Sequence, residues 1–224
     1  MMRVQGELKE RFVNGYGVGS FATGLYSTVP SVLLLYYCTE ILQIAPAAAG
    51  LIILVPKLWS LLWDPLVGGW LDRSKRHMGA MKMGAFGLIA GFVALFSTPI
   101  LSEKMVVFWV ACSYFLMTTI YSLFAVPYTA YPALIASDRE DRVRLISRRM
   151  MFAMLGVFCG ASAAPLIIDA TGGGRFGYSA MATILAAICA LAMTTALASI
   201  RSAPTSSRQT VLRQTCLARH PSPF

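Results

Sequence analysis

Three polar residues interrupt the apolar run LVPKLWSLLWDPLVGGWLDRSKR: Lys57, Ser60 and Asp64. Lys57 and Asp64 are seven positions apart, so on a helix they return to one face, about 10 Å apart along the axis, with Ser60 between them. An ammonium and a carboxylate on one stripe can hold a hydroxylated or charged solute, and the carboxylate can carry a proton. The same stripe could instead bind neighbouring helices, or Asp64 could sit near enough to a membrane surface to be hydrated. An ionisable group near the centre of a bilayer-spanning helix costs about 2.5 to 3.5 kcal/mol on insertion scales, which directs the stripe to a bundle interior or a wet crevice. Pro56 and Pro65 remove backbone donors beside the two charges. They are expected to bend the helix and turn carbonyls toward that crevice.

A second polar section is YFLMTTIYSLFAVPYTAYPAL, where Thr118, Tyr121, Ser122, Tyr128 and Thr129 break the apolar run. Tyr121 and Tyr128 are again seven apart and offer apolar ring faces with a hydroxyl at the rim, which suits a carbohydrate. Packing, or marking a membrane interface, is the other reading of tyrosines in such a run. The two histidines, His77 and His220, lie in the polar segments outside the apolar runs, and the five cysteines form no close metal-type pair. No metal site, disulfide framework or Ser/His pair follows, and the chain is not expected to be an enzyme.

The elements that must position these groups are long and apolar. The 224 residues are 57% hydrophobic and 13% charged, outside the range of a soluble globular domain. Six apolar blocks stand near or above the ~20 residues that span a hydrocarbon core of ~30 Å. They run from Asn14 to Thr39, Ala45 to Leu71, Met83 to Leu101, Met105 to Ala133, Met150 to Ala170 and Tyr178 to Ile200. Lacking the alternation of barrel strands, they predict an all-α integral membrane protein of six transmembrane helices. Residues 1–200 form the bundle and 201–224 a basic, Pro- and Ser-containing tail or linker. The first apolar run is too long for a signal-peptide core and is expected to remain attached.

The net charge of +9 is a topology signal rather than a nucleic-acid footprint. Bases cluster before the first block, between the second and third, between the fourth and fifth, and after the sixth. Lys104 and Arg175 alone fall in the opposite loops, and Lys57 lies within a helix. This bias predicts both termini in the cytoplasm and a cell-membrane location. The short opposite turns EILQIA, SEK and TGGGRFG make consecutive helices antiparallel neighbours, with Gly15, Gly17 and Gly19, Gly87 and Gly91, and Gly156, Gly160 and Ala164 as small residues that permit close packing.

These segments together resemble the glycoside/pentoside/hexuronide:cation symporters, the melibiose-permease-like branch of the major facilitator superfamily. The resemblance rests on YGVGSFATG, LLLYYCTEILQI, PKLWSLLWDPLVGGWLDRSKRHMG, YSLFAVPYTAYPAL and REDRVRLISRRMMFAMLG, in that order along nearly the whole chain. It implies the six-helix amino-terminal half of a transporter working by alternating access, with a small polar solute such as a sugar, glycoside or uronate held against a second six-helix half or another copy. It also implies solute-binding roles for Lys57, Tyr121 and Arg149, cation coupling at Asp64, and a cytoplasmic gate at Asp72 and Arg73 within GGWLDRSKR; the Arg149 fork can hold two hydroxyls or a carboxylate, or serve beside Arg148 as an anchor. Tyr128 joins the solute-binding set and Ser60 the coupling set through the polar stripes they share with Tyr121 and Asp64. Bases in an inner loop also satisfy topology alone. Gly24, Ser60 and Ala125 stand where sodium-coupled members carry acids, leaving Asp64. A proton on Asp64 is therefore the simpler coupling ion than sodium, which needs several hard oxygen ligands. The competing expectation is a transport-inactive fragment or membrane interaction module whose inner face lacks its match.

Overall fold

The computed structural model describes residues 10–201 apart from 75, 101, 137 and 138, with no side chain described for 134. The segment 202–224, where a tail or linker was expected, lies outside the described residues. Six helices run antiparallel in sequence order: α1 Glu10–Tyr36, closed by a π-helical turn Tyr37–Ile41, α2 Pro46–Ser74, α3 His77–Phe96, α4 Glu103–Ile135, α5 Arg139–Ala170 and α6 Gly174–Arg201. All six are long and apolar enough to cross a membrane. Glu10 and Arg201 lie at one end of the bundle, called here the terminal end.

Two helix starts differ most from the sequence expectation. α3 begins at His77 rather than Met83, and α5 at Arg139 rather than Met150. Hydropathy marks where a segment becomes apolar, whereas a helix continues as long as its backbone ladder does. In α5 the acidic Glu140 and Asp141 occupy the first turn, where they complement the positive end of the helix dipole. Arg142, Arg144, Arg148 and Arg149 thus stand on the first three turns of a helix and not in a loop. Arg144 and Arg148 pair with Glu10, the latter at 3.7 Å, tying the start of α1 to α5. Pro56 and Pro65 do not interrupt α2, which is helical throughout its 29 residues.

The loops close with defined chemistry. After the π turn, Leu42 N–H donates to the Tyr37 carbonyl (3.0 Å), and Gln43 takes φ 56°, the left-handed conformation that ends many helices. Between α5 and α6, Gly172, Gly173 and Gly174 all have positive φ, a path open to glycine without strain.

Lipid is as apolar as leucine, so helix association depends on close packing and interhelical hydrogen bonds rather than on the hydrophobic effect. α1 is the most enclosed element, packed on α5 and α6, while α3 packs on α4 and α6 and α2 leans on α4. At the α1–α5 crossing the backbones touch. A Cβ added to Gly156 would press on the Phe21 carbonyl group, with Phe21 C at 2.9 Å, and one added to Gly24 would press on the Ala153 carbonyl, with its carbon at 3.2 Å. The α3–α4 seam is equally tight, since a Cβ on Gly84 would lie 2.7 Å from Phe124 N.

Tyrosines stitch the helices at both ends. The Tyr16 hydroxyl donates to the Tyr128 carbonyl and the Tyr128 hydroxyl to the Tyr16 carbonyl, a reciprocal clasp between α1 and α4. Ser20 adds a bond to the Tyr128 hydroxyl (3.3 Å), and Tyr131 donates to the Ile200 carbonyl (3.3 Å). At the other end Tyr37 donates to the Phe96 carbonyl (3.1 Å) and meets the Thr98 hydroxyl.

Candidate functional site

α1, α2 and α4 enclose a cavity of about 220 Å³. Its wall on α2 consists of Lys57, Ser60 and Asp64, the stripe expected from the seven-residue spacing. Ser60 is the middle residue of the 29-residue helix. At 1.5 Å per residue Lys57 and Asp64 therefore lie about 4.5 and 6 Å either side of the midpoint, deep within the apolar zone.

α4 supplies Tyr114, Met117, Thr118, Tyr121 and Ser122, and α1 supplies Tyr26, Ser27 and Ser31. Ser122, 1% exposed, donates its hydroxyl to Asp64 Oδ1. One turn away Trp63 Nε1 donates to the Thr119 carbonyl (3.0 Å). These two bonds fix α2 against α4 and so fix the side from which Asp64 addresses the cavity. Trp59 stacks on Trp63 with centroids 5.6 Å apart and meets Phe115 at 5.4 Å, an aromatic wall behind the polar stripe.

Lys57 and Asp64 are both exposed on this cavity, and they make no ion pair with each other or with another described residue. The hydroxyl of Ser60 donates to the Lys57 carbonyl (2.8 Å), leaving its lone pairs toward the cavity. The lining therefore offers one cation, one carboxylate and several hydroxyls around a small volume. Asp64 is the only carboxylate on it among the described residues. That donor set suits a hydroxylated organic solute, with a separate proton-accepting group beside it.

The remaining expected residues fall into three groups. Tyr121 lines the cavity, within electrostatic reach of both Asp64 and Arg149. Arg149 stands off the cavity toward the terminal end, its guanidinium 5.8 Å from the Tyr128 ring centroid and close to the Tyr16 hydroxyl. Tyr128, expected as a solute contact, does not line the cavity: it is 1% exposed and its hydroxyl donates to the Tyr16 carbonyl, between α4 and α1. Asp72 and Arg73 are exposed at the terminal end of α2 and make no ion pair among the described residues.

Of the positions where an acid is missing, Ser60 faces the cavity, whereas Gly24 is sealed in the α1–α5 crossing, where a side chain of any length would part the helices. Sequence reasoning missed the α1 wall. Tyr26, Ser27 and Ser31 carried a usable signal, two hydroxyls one turn apart in an apolar run, but such serines ordinarily bond to their own helix. Ser27 does donate to the Gly24 carbonyl (2.9 Å) and Ser31 to the Ser27 carbonyl (2.7 Å), so what they present to the cavity is mainly acceptor oxygen.

A multi-pass all-α membrane protein with a polar cavity between its helices is the class that fold and site define. Residues 15–216 match the family described as MFS/sugar transport protein, and the chain belongs to that family. It is 31% identical over 183 residues to the uncharacterized symporter YnaJ of Bacillus subtilis, covering 78% of this chain and 39% of that protein. It is 30% identical over 172 residues to the putative glycoside/cation symporter YagG of Escherichia coli, covering 73% and 37%. Against the isoprimeverose transporter of Lactiplantibacillus pentosus it is 26% identical over 187 residues, covering 80% and 39%. The chain thus spans about two fifths of the length of these relatives.

Proposed function

We propose that this chain forms one six-helix half of a solute:cation symporter of the cell membrane, moving a sugar, glycoside or uronate by alternating access. The observation that carries this reading is the mid-depth cavity on which Lys57, Ser60, Asp64 and Tyr121 converge. Fixed charges are stable at that depth where water and a polar cargo can reach them. Lys57 and the Tyr121 and Ser60 hydroxyls bind the solute, and Arg149 closes the site from the terminal end. Asp64 carries the coupling proton, and the Ser122 hydroxyl holds that carboxylate toward the cavity. A second half, from more of the same polypeptide, another chain or another copy, supplies the facing wall, and the terminal end with Asp72 and Arg73 as gate lies in the cytoplasm.

Proteoliposomes containing the protein together with its facing half, given radiolabelled glycosides or uronates under an imposed proton or sodium gradient, test the proposal. Accumulation driven by the proton gradient is expected, with Asp64→Asn losing accumulation while retaining downhill solute movement. Absence of accumulation under either gradient would favour the competing reading, a transport-inactive fragment or membrane interaction module.

A further inference from the structure

Away from the polar cavity, α3 and α6 leave a groove of about 550 Å³ on the outside of the bundle, lined by Lys82, Thr194, Leu197, Ala198 and Arg201. Its composition is graded with depth. Arg201 is the last residue of α6 and Lys82 the sixth of α3, so both cations stand at the terminal-end rim. Thr194 lies seven residues before Arg201, about 10 Å further toward the bundle centre. The deeper wall is apolar in effect, because the Thr194 hydroxyl is spent on the Ala190 (2.8 Å) and Leu191 (3.0 Å) carbonyls.

Neither cation makes an ion pair among the described residues, where the recorded pairs all belong to Glu10. A cationic rim above an apolar slot has the profile of one phospholipid, its phosphate at the surface and the start of an acyl chain beneath. We infer that this groove is a binding site for an anionic phospholipid of the leaflet at the terminal end, held by Lys82 and Arg201 through its phosphate and by Leu197 and Ala198 along its chain. The inference needs only the membrane embedding of the bundle and is independent of any transport activity.

The test is native mass spectrometry of the protein released from micelles holding phosphatidylglycerol and phosphatidylcholine with identical acyl chains. Two bases near a membrane surface give an expected preference for phosphatidylglycerol of about thirtyfold. The Lys82→Gln/Arg201→Gln variant should bring this to within about threefold, since each base contributes a comparable share. Ala198→Trp, which fills the slot without changing charge, should lower retention of the bound lipid. Lys104→Gln/Arg175→Gln removes the same charge from the opposite end and should keep the preference. The inference is overturned if wild type shows no preference, if the Lys82/Arg201 variant keeps it, or if the Lys104/Arg175 variant loses it equally. It is also overturned if inorganic phosphate displaces the lipid at millimolar concentration, which would mark a site for a free anion.

Discussion

Replacing Lys57 by methionine removes the ammonium while keeping most of the side-chain volume, and three accounts of that charge give well-separated outcomes. If Lys57 faced lipid, its removal would relieve an insertion cost of about 2.5 to 3.5 kcal/mol and stabilise the fold by that amount. If it held helices together in a buried ion pair, breaking the pair would destabilise by about 3 to 5 kcal/mol. In the structure Lys57 is exposed on a cavity and has no carboxylate within ion-pair distance among the described residues. On the wet-crevice reading the ammonium is hydrated and the change should stay within about 1 kcal/mol, the range of substitutions that break no buried contact. For a chain of this size 1 kcal/mol corresponds to about 2 to 4 °C in unfolding midpoint. Thermal unfolding of the purified protein in detergent is the assay, paired with proteoliposome uptake, which should be lost. A midpoint moved by more than about 5 °C in either direction, beyond what about 1 kcal/mol gives and the least that about 2.5 kcal/mol would give, refutes the hydrated-crevice reasoning.

Other outcomes follow from particular contacts. Gly156→Leu forces α1 and α5 apart at the Phe21 carbonyl and should destabilise by about 1 to 3 kcal/mol, whereas Gly50→Ala, with nothing within 4 Å of the added Cβ, should not; unfolding midpoints compare the two. Tyr128→Phe removes one bond of the α1–α4 clasp and should lower stability by about 0.5 to 1.5 kcal/mol without changing solute affinity. Tyr121→Phe should do the reverse, weakening solute binding measured by titration calorimetry while leaving the midpoint near wild type. Ser122→Ala takes from Asp64 its described hydrogen-bond donor, a charge-assisted bond worth about 1.5 to 3 kcal/mol, and should impair gradient-driven accumulation more than solute binding.

What the sequence discloses depends on how local the determining physics is. The six spans are legible because burying apolar side chains in lipid needs only the run itself. The Lys57, Ser60 and Asp64 stripe is legible because a helix fixes which residues share a face. The start of α5 at Arg139 is not, since a charged amphipathic turn can continue a helix beyond the apolar boundary. Tyr121 and Tyr128 show the limit most clearly. They share spacing, residue type and helix, yet one lines the cavity and the other clasps α1, a division set by which side of α4 the Tyr16 carbonyl approaches. Gly24 is similar. Its closeness to Ala153 across 129 positions of sequence is a property of the α1–α5 crossing and leaves no local mark.

Water access to α2 tests the central claim most directly. Single cysteines at positions 57, 60 and 64, in a background with all five native cysteines replaced by alanine or serine, are exposed in membrane vesicles to a charged maleimide that cannot cross the bilayer. The account predicts modification at all three from at least one side, and none at a cysteine replacing Leu191, which is 70% exposed on the outer face of α6. Unreactive cysteines at 57, 60 and 64 from both sides would contradict it.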